Sequence, residues 1–251
     1  MTAIRLASSV ILVRENKQIE KDRLEVYTTK RPDTMKFLPG FTVFPGGAIE
    51  QDDTRAEWCE YIEKHWDDHL LLPKHSGYPG DSLPIDELEK LELAHAIGAV
   101  REVFEETGLL IAQARPASSA AQPNNWEPRQ LLAHRQALHN KEITFLELIQ
   151  SLGIKLDLGT MLHIGRRLTP PTSPIRFNTQ FFLTYVPSHI TMMPSVHEVA
   201  ADAWVEPSLA LQQCEQGQIA CAPPTRECFR ALAQLADQQH FLKRFSGKPI
   251  G

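Results

Sequence analysis

Three glutamates, Glu102, Glu105 and Glu106, lie within five residues of one another and constrain this chain more than any other feature of its sequence. On a helix, positions i, i+3 and i+4 share one face, so the three carboxylates are predicted to project together. Like charges held this close raise the cost of ionising all of them. One interpretation is a solvated acidic helix face; the other is an oxygen-only site for Mg²⁺ or Mn²⁺.

Two features around the glutamates favour the metal interpretation. Arg101 precedes Glu105 by four residues and can hold that carboxylate from behind. Upstream, residues 44–50 read Phe-Pro-Gly-Gly-Ala-Ile-Glu after a short strand-like stretch. Glycines there let the backbone approach a metal or a phosphate closely, which a side chain would prevent.

Together the two segments resemble the Nudix box, G-x5-E-x7-R-E-U-x-E-E-x-G-U, in which U is a bulky aliphatic residue. The second half matches at every fixed position from Arg101 to Leu109. The first half starts at Gly47 and has Asp53 where the family usually has Glu, a shorter side chain predicted to weaken a supporting contact. Between the halves lie 47 residues, 54–100, in place of 7, so the box carries an insertion of 40.

The resemblance implies a single α/β domain over residues 1–251, an α/β/α sandwich with a mixed, largely antiparallel sheet. It also implies metal-dependent hydrolysis of a phosphoanhydride in a small molecule linked through a nucleoside diphosphate. The implied catalytic residues are Glu102, Glu105, Glu106, Arg101 and Glu198. The implied ligands of Mg²⁺ or Mn²⁺ are the carbonyl of Gly47 and the carboxylates of Glu102, Glu105 and Glu106. Which residue activates the attacking water stays open.

Glu198 is the weakest member of the catalytic set, because an exposed loop glutamate accounts for it equally well, and His197 beside it is incidental. Phosphate binding is predicted for cations at inferred strand ends and loops: Arg31, Lys36, Arg166 and Arg176, with Arg167 as a further candidate. Phe37 and Phe177 either stack on adenine or belong to the core.

Two features resemble one branch of the family, Nudix motif 19. They are the helical insertion with its early Trp58, and the Pro-x-Arg-Phe-x-Thr-x-Phe-Phe arrangement of residues 174–182. That branch implies coenzyme A and acyl-CoA diphosphatase activity, which yields phosphopantetheine or its acyl form and adenosine 3′,5′-bisphosphate. Two alternatives stay open: hydrolysis of ADP-ribose or a nucleotide sugar, and a non-catalytic module that senses a nucleotide or binds a partner.

Composition excludes several other classes of protein. A net charge of −5 argues against a generally nucleic-acid-binding surface, and no apolar run reaches the roughly 18–20 residues of a bilayer-spanning helix. The N-terminus lacks the apolar core of a signal peptide, and the C-terminal Gly-Lys-Pro-Ile-Gly is not a peroxisomal address, so a cytoplasmic location is expected. The four cysteines are predicted to be reduced thiols, and relatives suggest a homodimer without identifying an interface.

Periodicity and turn residues predict the elements of secondary structure. Strands are expected at 5–14, 24–31, 41–44, 161–168, 179–186 and 203–206. Helices are expected at 54–70, from Ile85 through the acidic segment, and at 127–140, 144–152, 207–216 and 224–242. The insertion, about 54–95, is predicted to pack beside the acidic helix as a helical hairpin, with a further helical segment at about 126–152.

Overall fold

The computed structural model describes residues 4–16, 23–63, 85–114 and 128–235. Its strands are β1 (Ile4–Asn16), β2 (Arg23–Lys30), β3 (Thr42–Val43), β4 (Gly46–Ala48), β5 (Ala112–Ala114), β6 (Ile154–Leu156), β7 (Met161–Leu168), β8 (Arg176–Tyr185) and β9 (Ala201–Val205). Its α-helices are α1 (Ile85–Thr107), α2 (Pro128–His139), α3 (Phe145–Leu152), α4 (Pro207–Glu215) and α5 (Pro223–Leu235).

The main sheet is organised around β1. Its strand order is β3-β2-β1-β8-β7, with β4 paired to the first half of β1 and β9 paired to β2. Only the pairing of β1 with β8 is parallel among the strands that the structure describes; the other pairings are antiparallel. The predicted mixed, largely antiparallel sheet is therefore confirmed.

Alternation along β1 places helices on both faces of this sheet. Val10 and Leu12 belong to the core shared with α1, α2 and α3, whereas Ile11 and Val13 belong to the core shared with α4 and α5. All four side chains are fully buried, as expected for a strand covered on both sides. The chain thus forms the predicted α/β/α sandwich.

The acidic segment forms the last turns of α1, which runs back to Ile85 as predicted from its apolar spacing. Gly108 ends the helix in the left-handed region at φ 75°, where a glycine is favoured, and its N–H donates to the carbonyl of Phe104 at 2.9 Å. Within the described stretches of chain, no helix combines the length and the apolar composition that crossing a membrane requires.

The helix predicted for residues 54–70 is wrong over its described part. The chain forms two short 3₁₀ turns there, Asp52–Thr54 and Ala56–Glu60, separated by an extended residue. The cause lies in Trp58, which is fully buried and donates its indole N–H to the carbonyl of Asp52 at 2.8 Å, so that the backbone wraps around this side chain. The rest of that helix and the middle of the predicted hairpin lie outside the described residues.

Residues 45–47, predicted to turn the chain, instead run into a short strand. Gly46 and Gly47 pair with Ser9 and Ser8 of β1. A Cβ on Gly46 would collide with the carbonyl oxygen of Ser8 and lie 2.6 Å from the Cα of Ser9, so the strand fits only without a side chain there. Strand β8 also begins at Arg176, three residues before its predicted start, because it extends alongside β1.

The cysteines are not all reduced thiols, which corrects the prediction from spacing. Cys214 and Cys221 form a disulfide across a Cα–Cα distance of 5.9 Å, joining the end of α4 to the segment before α5. Cys59 is free and exposed. Cys228 is free and half-buried, and burial raises the pKa of its thiol to about 12.

His95 on α1 provides a test of the packing between this helix and β1. Its side chain is 1% exposed, and its Nδ1 lies 3.1 Å from the hydroxyl of Ser8. Burial lowers the pKa of His95 to about 4 from its usual 6.5. Between these values the unfolded chain takes up a proton that the folded chain does not, so stability is lost as the pH falls.

We predict that the unfolding free energy falls in both the native protein and His95→Gln when the pH is lowered from about 7.5 to about 5. The fall is expected to be about 2 kcal/mol larger in the native protein. Comparing the two proteins cancels the contributions of all other titrating groups. Urea denaturation of both proteins at the two pH values measures the difference. Equal losses in the two proteins would contradict a neutral, buried His95.

Candidate active site

Arg101 organises the acidic end of α1. Its guanidinium is 3% exposed and donates from Nη1 to Glu102 and to Glu105, each at 3.0 Å. It also donates from Nη2 to the carbonyl of Ala48 at 2.8 Å, which ties the helix to β4. Burial alone would lower the pKa of Arg101, but Glu102, Asp53 and Glu105 together raise it. The side chain is therefore a fixed cation behind the acidic face.

Asp53 completes this arrangement from the other half of the box. It is 1% exposed and receives Nε and Nη2 of Arg101 at 3.0 Å each, while the N–H of Glu50 donates to it at 2.8 Å. A Cβ on Gly98 would lie 3.0 Å from its Oδ2, so Asp53 packs against the bare backbone of α1. The shorter acid thus keeps a paired contact with Arg101. The weakening of that contact relative to Glu stays a prediction.

The three glutamates remain difficult to ionise despite Arg101. Burial raises the pKa of Glu102 to about 8 and that of Glu105 to about 7, with Glu198 acting in the same direction on both and Arg101 opposing. Burial, Glu102 and Glu198 raise the pKa of Glu106 well above its usual value. Burial is thus the largest cause of all three shifts, and repulsion among the neighbouring carboxylates adds to it.

Gly47 brings the backbone of β4 against this face. A Cβ at this position would collide with the carboxylate of Glu102, lying 2.6 Å from its Oε2. The N–H of the adjacent Gly46 donates to Oε1 of Glu106 at 3.4 Å. The backbone of the Gly-Gly pair therefore lies directly against the acidic helix. Its close approach to a metal or a phosphate stays a prediction.

The donor set fits a hard divalent cation. Within the residues that the structure describes, no three His, Cys, Asp or Glu side chains converge on one ion position, and Glu102 and Glu105 each turn one oxygen to Arg101. Each has a second oxygen that does not take part in that bond. Carboxylate oxygens beside a glycine backbone are the type of ligand that Mg²⁺ or Mn²⁺ prefers.

A cavity of about 460 Å³ opens beside the acidic face. Its polar lining includes Glu50, Glu105, Glu198 and Arg101, together with His139 and Lys141. Its apolar lining comes from α2, from the segment that leads into α3 with the first residue of α3, and from the loop after β8: Leu132, Leu138, Ile143, Phe145, Pro194 and Val196. The cavity thus combines acidic, basic and apolar side chains in a volume that suits part of an extended ligand.

The structure places Glu198 with the glutamates of α1. It lines the same cavity as Glu105, and its charge acts on Glu102, Glu105 and Glu106. The turn that presents it is closed by the N–H of Val199, which donates to the carbonyl of Ser195 at 3.0 Å. Glu198 therefore belongs spatially to the site, although its role is not tested by position alone.

The predicted phosphate-binding cations do not line this cavity. Arg31 is near enough for its charge to oppose the raised pKa of Glu106, and its Nε donates to the carbonyl of Phe37 at 3.0 Å. Lys36 is exposed in the loop before β3. Arg166 faces Gln180 across β7 and β8, and Arg176 donates from Nε to the carbonyl of Thr169 at 3.1 Å.

Four further residues were considered as candidates for substrate binding or judged incidental, and only one of them lines the cavity. Arg167 forms an exposed ion pair with Glu227. Phe37 and Phe177 contact each other with ring centroids 4.9 Å apart, at the loop that Arg31 fastens. His197, judged incidental from the sequence, stacks on His139 at 4.6 Å and lines the cavity.

Sequence reasoning missed Arg135, which is 8% exposed and lines the cavity. It donates to the carbonyl of Glu105, 30 positions before it in the sequence, and to that of Met193, 58 positions after it. One signal was present: Arg135 shares the buried face of α2 with Leu131 and Leu138, at spacings of four and three residues. An arginine on an apolar helix face must find partners in the interior.

Comparison with known families and proteins agrees with this architecture. The sequence model of the NUDT19 Nudix domain matches residues 3–231 of the chain. The chain is 28% identical over 233 residues to acyl-coenzyme A diphosphatase NUDT19 of Homo sapiens, covering 85% of this chain and 62% of that protein. It is 24% identical over 226 residues to the protein of the same name from Xenopus laevis, covering 83% and 60%. The chain thus spans about 60% of the length of the curated relatives it matches.

A solved structure of a NUDIX hydrolase from Alicyclobacillus acidocaldarius superposes on the whole chain. The TM-score is 0.74 at 27% sequence identity, with 100% of this chain and 99% of that chain covered. The similarity extends over the sandwich as a whole and is not confined to the box.

Replacing Asp53 tests the pairing that joins the two halves of the box. We predict that Asp53→Asn lowers the unfolding free energy by about 3 kcal/mol, because it leaves the buried Arg101 with one charge partner fewer. Glu57→Gln is the matched control, since Glu57 pairs with Arg55 at an exposed position and its loss should change stability little. Urea denaturation near neutral pH measures both variants. A loss no larger than that of the control would show that Asp53 is dispensable.

Proton competition tests the metal site. With pKa values of about 7 and 8, Glu105 and Glu102 must lose protons before they can bind a cation. We predict that Mn²⁺ affinity, measured by titration calorimetry, rises at least about tenfold between about pH 6 and about pH 8, since each displaced proton contributes tenfold per pH unit. Glu105→Gln should flatten this rise. A pH-independent affinity in the native protein would contradict metal binding by these carboxylates.

Proposed function

This chain belongs to the family of NUDT19 Nudix domains, and from that premise we propose that it is a metal-dependent diphosphatase acting on coenzyme A or acyl-CoA. The bond cleaved is the phosphoanhydride between the adenosine and phosphopantetheine halves of the substrate. The products are phosphopantetheine or its acyl form and adenosine 3′,5′-bisphosphate.

One observation carries the proposal: α1 holds all three glutamates on one face, Arg101 fixes Glu102 and Glu105 from behind, and Glu105 lines a cavity large enough for part of such a ligand. A module that only bound a nucleotide would have no need of buried carboxylates with raised pKa values, because they cost stability when ionised. A catalyst retains them because a divalent cation turns that cost into binding energy.

We assign the cation, Mg²⁺ or Mn²⁺, to Glu102, Glu105, Glu106 and the carbonyl of Gly47. When bound, such an ion polarises the phosphoryl oxygens and lowers the pKa of a coordinated water. Arg101 holds Glu102 and Glu105 in place through Nη1, and burial keeps bulk water from screening their charges. Glu198 lines the same cavity as Glu105, where a carboxylate can accept a proton from water.

Binding of the remainder of the substrate is proposed from charge and shape. Arg31, whose charge acts on Glu106, is the best placed of the predicted cations to meet a diphosphate at the acidic site. Phosphate binding stays a prediction for Lys36, Arg166 and Arg176. Stacking of a base on Phe37 or Phe177 is likewise a prediction. The apolar side chains of the cavity lining suit the pantetheine arm or an acyl chain better than they suit a second sugar.

The substrate assignment also draws on the relatives. Two proteins similar to this chain carry the name acyl-coenzyme A diphosphatase. The chain matches only part of their length, so the transfer of that substrate to this protein is itself what must be tested. A cytoplasmic location and a homodimer stay predictions from the sequence.

The first experiment compares substrates at fixed enzyme concentration with Mg²⁺ or Mn²⁺. We predict that CoA and acyl-CoA turn over faster than ADP-ribose and nucleotide sugars, with products identified by liquid chromatography. Faster turnover of ADP-ribose would replace the CoA assignment with the runner-up. Tight nucleotide binding without any turnover would identify a sensing module.

The second experiment removes single carboxylates. We predict that Glu105→Gln and Glu106→Gln each lower kcat by about 10²-fold or more while leaving the fold intact, because charge stabilisation supplied through the metal is lost. Glu57→Gln, which removes an exposed carboxylate that does not line the cavity, is the control for charge removal alone. Near-normal kcat in both site variants would exclude these residues from the mechanism.

A further inference from the structure

The C-terminal end of α1 is closed by a loop and a single side chain. Met193 donates its N–H to the carbonyl of Thr107 and Ser195 donates to that of Glu106, each at 2.8 Å. Glu105 offers the next carbonyl back along the helix, and it accepts from Nε and Nη2 of Arg135 at 3.1 and 2.5 Å. Helix-terminal carbonyls lack partners within the helix, so these bonds satisfy the end that carries the site.

Arg135 joins this helix end to the loop directly. Its Nη1 donates to the carbonyl of Met193 at 2.6 Å, while its other two nitrogens hold Glu105. One planar guanidinium thus bonds two carbonyls on separate elements, a geometry that the single ammonium of lysine cannot reproduce. Because these acceptors are neutral, the charge of Arg135 is left to act on Glu105, Glu106 and Glu198.

The loop that Arg135 fastens is the one that carries Glu198. From Ser195, whose N–H is bonded to α1, a single turn leads through Glu198 to Val199, which is 8% exposed and bonded back to Ser195. On the far side the N–H of Ala200 donates to the carbonyl of Lys30 at 2.8 Å, just before β9 begins. Glu198 therefore lies between two anchors, and at the anchor on the site side Arg135 adds its bond to Met193 to the backbone bonds of Met193 and Ser195.

We propose that Arg135 is a positioning residue: it clamps the 193–198 loop onto the end of α1 and so holds Glu198 against the metal-binding face. Its kinetic consequence rests on the diphosphatase function proposed above. Its structural consequence, an ordered loop and a tighter site for a divalent cation, does not. The sequence places Arg135 on the buried face of α2 for this contact, since a leucine there would pack equally well but could not bond either carbonyl.

The kinetic and binding test is a double-mutant cycle. Arg135→Lys retains the charge but not the two-carbonyl contact; we expect it and Glu198→Gln each to lower kcat and Mn²⁺ affinity by about 10- to 100-fold. If Arg135 acts through Glu198, the double variant will be no worse than the Glu198→Gln single. Losses that multiply would overturn the proposal. Arg230→Lys, which alters an exposed ion pair with Glu215 on α5, is the matched control.

The second test reads the loop itself without substrate or metal. Val196 is 87% exposed, so Val196→Cys in a Cys59→Ser background accepts a nitroxide label on the loop. We expect Arg135→Lys to narrow the electron paramagnetic resonance spectrum, as the label gains mobility, and Arg230→Lys to leave it unchanged. An unchanged spectrum in Arg135→Lys would overturn the proposal.

A third variant loosens the same contact from the helix side. In Gly108→Ala the new Cβ would lie 3.3 Å from the Cβ of Met193 and 3.4 Å from Nη1 of Arg135, on a residue with φ 75°. We expect it to reproduce the mobile loop, and it serves in place of Arg135→Lys if that variant does not fold. The native protein could lack diphosphatase activity while Arg135→Lys or Gly108→Ala still changes loop mobility and Mn²⁺ affinity as expected. That result would refute the proposed function but support the role of Arg135 in positioning the loop.

Discussion

The guanidinium of Arg101 is the interaction on which the rest of the site depends. It is buried among carboxylates from both halves of an interrupted box: Asp53 from the first, Glu102 and Glu105 from the second. A charge placed so deep is tolerated only when its hydrogen-bonding capacity is filled, which happens here through three carboxylates and the carbonyl of Ala48. The same contacts bring the glycines of β4 to the acidic helix, so ion pairing and assembly of the site are one event.

This constraint explains how the box tolerates so long an insertion. Asp53 precedes the insertion and Arg101 follows it, and the two side chains form an ion pair. Because this pair fixes both halves of the box, the number of residues between them has little effect on the geometry of the site. Asp53 in place of the longer acid is compatible with the closure because Gly98 lets the carboxylate lie against the helix backbone. The shorter acid in the first half of the box is thus accommodated by Gly98 on α1, and only the assembled structure reveals this contact.

The two sides of the site are built differently: strands of the sheet form one side, and α2 with the 193–198 loop forms the other. Strand β1 fixes β4, β2 and β8 and is covered by helices on both faces, which makes the glycine backbone a rigid wall. The opposite wall is built from α2 and the 193–198 loop, held by a few hydrogen bonds to the end of α1. Selectivity among related substrates is expected to reside in this second wall, because it is fastened by fewer contacts.

Local patterns in the sequence determined much of this protein. The shared helix face of the three glutamates, the backward extension of α1, and most strands and helices follow from periodicity and turn chemistry, which act over a few residues. The predictions from local patterns were wrong where long-range packing competed with them. Burial of Trp58 produced 3₁₀ turns in place of a predicted helix, and pairing with β1 placed Gly46 and Gly47 in a strand. Cys214 and Cys221 form a disulfide because folding brings them together. Only the tertiary structure decided that Asp53 pairs with Arg101, that Glu198 faces the glutamates and that Arg135 closes the helix end. The hydrogen bonds of Arg101 to Asp53 and of Arg135 to Glu105 and Met193 join residues 30 to 58 positions apart, and no spacing along the chain encodes a distance that only folding creates.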